Sequence, residues 1–195
     1  MNLLKDKVVL ITGAGKGVGR ALALAFAERG AIIAANDISP INVEQVAAEI
    51  CARSGKAKAY IEDVAKKVGA QYLVNSVEED FGGIDILVNH AAVEPRTLLL
   101  EMDEWDWHRT LDVNLTGAFL MMQSAARVMK GKGWGVILNI VTEPGLGAAY
   151  RSSMAGLRAL SESADSELSP HGIRVHAIEN SADIIRAVMA VLEVK

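Results

Sequence analysis

Cysteine occurs once, at Cys51. A lone thiol cannot close an intrachain disulfide, so stability must come from buried apolar surface, and a reducing, cytoplasmic setting is expected. Histidine stands at positions 90, 108, 171 and 176, scattered over different predicted elements without metal-ligand spacing, and no metal site is expected. Lys and Arg number 20 against 24 Asp and Glu. With no basic block, nucleic acid is a poor candidate partner. No apolar stretch is long enough to cross a bilayer, and Asp6 and Lys7 precede any long apolar run; neither a membrane span nor a signal peptide is expected. Hydrophobic residues still make up 51% of the chain, enough to exclude disorder. One domain spanning 1–195 is the simplest organisation at this length.

What is present is concentrated between Val8 and Asp37. Val8 to Ile11 is a short β-branched run suited to a buried strand. A loop follows with glycines at 13, 15, 17 and 19, then an Ala- and Leu-rich helix from Arg20 to Arg29, stopped by Gly30. Ala31 to Ala35 reads as a second strand, and Asp37 stands just past it. Glycines let a backbone approach a pyrophosphate closely, and the free N–H groups at a helix start bind its charge. A carboxylate 18 residues beyond Gly19 is placed to accept both hydroxyls of an adenosine ribose. The same carboxylate repels a 2′-phosphate, which favours NAD over NADP; Lys16, inside the loop, is the opposing signal.

Further strands are predicted at Ala57–Ile61, Ile84–Val88, Val136–Val141 and Ile173–Ile178. Helices alternate with them, including one from about Lys66 to Phe81 whose buried face is expected to carry Val68, Tyr72, Leu73 and Val77. A longer one runs from Met102 to Lys130, another from Ala149 to Leu168, and a last one from Ala182 to Leu192. Strict alternation of strand and helix implies an α/β fold, a doubly wound parallel sheet of about six strands.

These motifs, in this order, resemble the short-chain dehydrogenase/reductase family over nearly the whole chain. Thr12 to Gly19 (TGAGKGVG) is similar to the family's cofactor loop, which implies that Gly13, Gly15, Lys16, Gly17, Val18 and Gly19 line the dinucleotide. Asp63–Val64 resembles the pair that contacts the adenine, and Asn89-His90-Ala91-Ala92 resembles the Asn-Asn-Ala-Gly strand end, implying cofactor contacts at Asn89 and Ala91. Asn114, within DVNLTGAF, resembles the asparagine that orders a water in the catalytic site, Tyr150 the catalytic tyrosine, and Thr142 the catalytic serine. Plain structural roles stand beside these: Asn114 as a polar residue kinking a helix, Thr142 as a strand end, Tyr150 as a core aromatic.

Departures from the family pattern fall in the reactive half. The Tyr-x-x-x-Lys lysine is Met154, the loop from Thr142 to Tyr150 is short, and Glu179-Asn180-Ser181 replaces a Pro-Gly turn. The family's substrate loop and final strand are absent from the reading. A free tyrosine has a pKa of about 10, and a cation one helical turn away would stabilise its phenolate. Methionine cannot. Arg151 is rotated about 100° around the helix, and neither Arg158 nor Lys16 is a clear substitute. The resemblance therefore implies an NAD(H)-dependent oxidoreductase of small alcohols or ketones with weakened catalysis. The alternative is a catalytically inactive NAD(H)-binding protein serving as a sensor or subunit partner; a truncated structural relic is the third reading. A homodimer through the helices containing Asn114 and following Tyr150 is expected.

Overall fold

The computed structural model describes residues 4–142, 147–180 and 183–193. Six strands form one parallel sheet: β1 (Val8–Thr12), β2 (Ile32–Asn36), β3 (Lys56–Tyr60), β4 (Ile86–Asn89), β5 (Gly135–Thr142) and β6 (Ile173–Asn180). Their order across the sheet is β3-β2-β1-β4-β5-β6. The direction of winding reverses between β1 and β4, and the crevice beyond the strand tips at that point is where such sheets bind ligands.

Helices α1 (Gly17–Ala27), α2 (Pro40–Ala52) and α7 (Ile184–Glu193) cover one face, and α3 (Lys67–Phe81) and α5 (Ala118–Lys132) the other. Alternate strand residues feed the two cores. Val9 and Ile11 pack with Leu22 and Phe26 of α1, whereas Val8 and Leu10 face Leu73 of α3 and Met121 of α5. Central strands buried on both faces must be apolar at every position, and β1 is buried throughout. The edge strand β3 instead alternates, with exposed lysines at 56 and 58; such charges discourage pairing with another chain. At the other edge, α6 (Ala148–Leu168) lies along β6, where the Asp165 carboxylate accepts the outward N–H of Val175 at 2.8 Å.

At the end of the sheet opposite the strand tips, Asp85 is 6% exposed. It accepts bonds from the Val8 N–H at 2.9 Å and from Lys132 Nζ at 2.8 Å, with Lys7 Nζ at 3.5 Å.

Several expectations change. The buried face of α3 is Ala70, Leu73, Val74 and Val77, while Val68 and Tyr72 are exposed. Packing is set by the 100° step per residue, which puts Val68 and Tyr72 on the same side of the helix, away from Val74. Strand β6 continues through Glu179 and Asn180, because both pair in register with Val141 and Thr142 of β5. Ser181, the predicted start of the last helix at Ala182, and most of the short loop after Thr142 lie outside the described residues. The long helical region is one run broken by a π-helical turn: α4 (Glu104–Leu111), the turn at Asp112–Gly117, then α5. Among the described residues, the exposed large apolar side chains of this region are Trp105 and Phe119, with Leu98 to Leu100 on the segment just before it; none lies on α6. Of the two helices expected to form a homodimer, only the first carries exposed large apolar side chains among the described residues.

Candidate functional site

The strand tips open into a crevice of about 810 Å³. At one end lies the glycine loop. Lys16 is extended (φ −152°) and makes no side-chain cap, so α1 begins with its free N–H groups uncapped by that residue. The loop admits no side chain at its close approaches. A Cβ on Gly19 would overlap the Gly13 carbonyl oxygen, and one on Gly13 would stand 2.9 Å from Ala91 Cα. Gly17, by contrast, has nothing near it but holds φ at +55°, a conformation that costs other residues about 1–2 kcal/mol.

Polar side chains tie the strand tips together beneath this loop. Thr12 Oγ1 accepts the N–H groups of His90 and Ala91 at 3.1 and 3.2 Å. Asn36 Nδ2 donates to the carbonyls of Tyr60 and Glu62 at 3.3 and 3.1 Å. Asp37 accepts the Gly15 N–H on Oδ2 and the Ser39 N–H on Oδ1, each at 3.0 Å. Its carboxylate is thereby fixed at the mouth of the loop. His90 Nδ1 lies 3.3 Å from the Gly13 carbonyl. Burial holds the His90 pKa below its ordinary value, against the opposing pull of the Gly13 carbonyl and the Asp37 charge. A neutral ring with its proton on Nδ1 donates to Gly13 and braces the loop from below.

The other end of the crevice is built on β5, α6 and the segment after β4. Thr142, Tyr150 and Met154 all reach its wall. Tyr150 and Met154 are 5% and 6% exposed and share a small apolar cluster with Val141 and Leu157. Burial, then the charge of Glu94, push the Tyr150 pKa above its ordinary value. Thr142 Oγ1 is buried without a hydrogen-bond partner among the described residues. A buried, unpaired hydroxyl at a crevice wall is most simply accounted for by a ligand or a water.

Gly13, Lys16, Asp37, Asp63, Val64, Ala91, Thr142, Tyr150 and Met154 thus meet around one crevice. Gly15, Gly17, Val18 and Gly19 shape the loop and its helix without being part of the crevice wall. Asn89 and Asn114 are turned away from it. Asn89 Nδ2 donates to Asn139 Oδ1 at 2.8 Å, and Asn139 Nδ2 continues to Ser161 Oγ at 2.8 Å, a buried chain linking β4, β5 and α6. Asn114, in the π turn, accepts the Val93 N–H at 2.8 Å and donates to the Val93 carbonyl and to Ser153 Oγ, both at 3.0 Å. Ser153 Oγ donates in turn to the Tyr150 carbonyl at 2.8 Å. Both amide hydrogens of Asn114 are spent on the protein, so it acts by holding the Val93 loop against the helix of Tyr150.

Residues not singled out from sequence also line the crevice, among them Asn36, Asn42, Lys66, Glu94 and Arg109. Most follow a strand tip or begin a helix there, and position relative to the predicted strand ends is the one signal that would have found them.

The residues present fit a dinucleotide. The cradle of glycines meets an uncapped helix start, and a fixed carboxylate waits at the β2 tip. At the far end sits the Thr142 hydroxyl, buried and unpaired among the described residues. A sequence profile described as short chain dehydrogenase matches residues 7–182. An uncharacterized oxidoreductase of Thermotoga maritima is 41% identical over 179 residues, covering 89% of this chain and 70% of the relative. The crystal structure of an NAD⁺-bound xylitol dehydrogenase superposes with a TM-score of 0.87 at 35% identity, covering 90% of this chain and 70% of that one. A metagenomic short-chain oxidoreductase in complex with NADP superposes with a TM-score of 0.92 at 28% identity, covering 97% and 92%.

Proposed function

This chain belongs to the short-chain dehydrogenase family of oxidoreductases, and from that premise we propose that it binds NAD(H) and exchanges hydride with a small alcohol or ketone, with a weakened proton-transfer step. In this reading residues 1–195 act as one dinucleotide-binding domain. The observation that carries it is the glycine cradle at the start of α1 facing the anchored Asp37 carboxylate. Gly13, Gly15, Gly17 and Gly19 keep the backbone open to a diphosphate, with Lys16 and Val18 on the same loop. Asp37 takes the adenosine ribose hydroxyls; because two backbone N–H groups fix it, it cannot easily swing away from a 2′-phosphate, which favours NAD over NADP. Asp63 and Val64 flank the adenine and Ala91 borders the nicotinamide side, while Asn89 supports the β4 tip from behind through Asn139.

The nicotinamide ring, when bound, supplies the hydride acceptor or donor. Everything else falls to the chain. Thr142 Oγ1, without a partner among the described residues, hydrogen-bonds the substrate oxygen. Tyr150 moves the proton, and Asn114 positions Tyr150 through Ser153. A phenol held above its ordinary pKa is scarce as a base in alcohol oxidation, and its conjugate base is costly to form in carbonyl reduction. Met154 packs an apolar side chain where a cation would help.

That packing also favours a second reading, a dinucleotide-binding sensor or subunit partner that does not turn over. Titration with NADH followed by an oxidation and reduction screen at several pH values separates the two. NADH binding with turnover that rises towards high pH, and is lost in Tyr150→Phe, supports the enzyme. NADH binding without turnover supports the sensor, and no NADH binding defeats both. We further propose a homodimer through the helices containing Asn114 and following Tyr150, with exposed Trp105, Phe119 and Leu98 to Leu100 supplying the apolar contact; a monomer in sedimentation would overturn it. The exposed free thiol of Cys51 fits a reducing cytoplasm.

A further inference from the structure

The substrate end of the crevice has an acidic lining that the reaction itself does not require. Glu94 lies on the segment after β4, next to a fixed point. Val93 before it is clamped at both N–H and carbonyl by Asn114. Pro95 after it brings its carbonyl close to Gly147, the residue before α6. The Glu94 side chain is exposed, yet it borders the same crevice as Thr142 and Tyr150. Its charge is felt at the Tyr150 phenol.

No cation pairs with Glu94 among the described residues. The stretch of wall from α4 and the turn after it adds a second carboxylate, Asp112, one guanidinium, Arg109, and the imidazole of His108. Arg109 is stacked on the Trp105 ring at 5.0 Å. What this end offers a docking molecule is therefore an unpaired anionic acceptor in the same crevice as the tyrosine.

We propose that Glu94 determines substrate specificity, favouring neutral polyols with a hydroxyl next to the reacting carbinol and rejecting molecules that carry a carboxylate or phosphate there. The inference rests on the oxidoreductase reading above. A carboxylate accepts hydroxyl donors through charge-assisted bonds. Placed against a like charge in a crevice, it repels, and repulsion is an efficient source of discrimination. The clamp on Val93 keeps the Glu94 backbone at the crevice wall.

Two four-carbon probes isolate the effect: erythritol, and erythronate, in which a terminal CH₂OH is a carboxylate. Their equilibrium binding to the NADH complex, followed by ligand-observed NMR, needs no turnover. Wild type should prefer erythritol by about tenfold or more, Glu94→Gln should bring the preference to within about threefold, and Glu94→Lys should reverse it, as expected for loss and inversion of one nearby charge. NADH affinity, measured in each variant, serves as the folding control. If NADH binds but the probe preference is the same in all three proteins, the role of Glu94 is overturned while the cofactor reading stands. Preference for erythronate in wild type, or binding of neither probe, overturns it equally. Failure of wild type to bind NADH removes the cofactor reading and this inference with it.

Discussion

Exchanging Met154 for lysine tests the proton-transfer step most directly. Met154 is 6% exposed and lies one turn beyond Tyr150 in the same apolar cluster, so a longer side chain at 154 stays on the tyrosine's face of the helix. A free phenol, with a pKa of about 10, is about one part in a thousand ionised at pH 7. Burial and the Glu94 charge push Tyr150 in the unfavourable direction. Lowering a phenol by three units requires about 4 kcal/mol of preference for the charged form. A unit charge at about 4 Å supplies about that much at an effective dielectric of 20. Met154→Lys should therefore raise alcohol oxidation at pH 7 by about a hundredfold or more and shift the rising limb of the pH–rate profile towards neutrality. Burying an ammonium beside Val141 and Leu157 costs stability, and the melting temperature should fall by several degrees. The assay is initial rates over about pH 6 to 10, with NADH affinity and circular dichroism as controls. A folded, NADH-binding variant with the wild-type pH profile would refute the link between position 154 and the phenol.

Three other outcomes are expected. Gly19→Ala forces a Cβ into the Gly13 carbonyl and should weaken NADH binding by about a hundredfold, whereas Gly17→Ala, in open space at φ +55°, should cost about 1–2 kcal/mol of stability and far less affinity; titration of both variants checks this. Asn114→Ala removes the bonds to Val93 and Ser153 and should destabilise by about 2–4 kcal/mol in denaturant unfolding, with a change under about 0.5 kcal/mol refuting the clamp. Burial works against ionised Asp85, but Lys132, the Val8 N–H and Lys7 outweigh it, and the folded pKa lies below the ordinary value. The stability this contributes is present above the unfolded value of about 4 and is lost as pH falls through the folded one. Unfolding midpoints should therefore drop as pH is lowered below about 4, and Asp85→Asn should flatten that dependence.

Residue order alone determined the sheet and its winding. Parallel strands need crossovers, so alternation of apolar runs with helical periodicity leaves few topologies open, and the glycine spacing before α1 needs backbone clearance that no side chain tolerates. Positions such as Asp37, Thr142 and Tyr150 were legible because they sit at strand tips or helix starts, where local pattern fixes location. Direction was not legible. Asn89 and Asn114 have the expected places in the chain, yet their amides turn to Asn139, Val93 and Ser153, because a buried amide goes to whichever partners the tertiary packing brings near. Val68 and Tyr72 were apolar at helical spacing but point to solvent, since the face of α3 is chosen by the sheet it packs on. The meeting of Glu94 with Tyr150, 56 residues apart in the chain, likewise had no local signature. Spacing along a chain records what the backbone needs from its neighbours; which side chains share a wall is decided only when distant elements pack, because charge, desolvation and hydrogen bonding act through space.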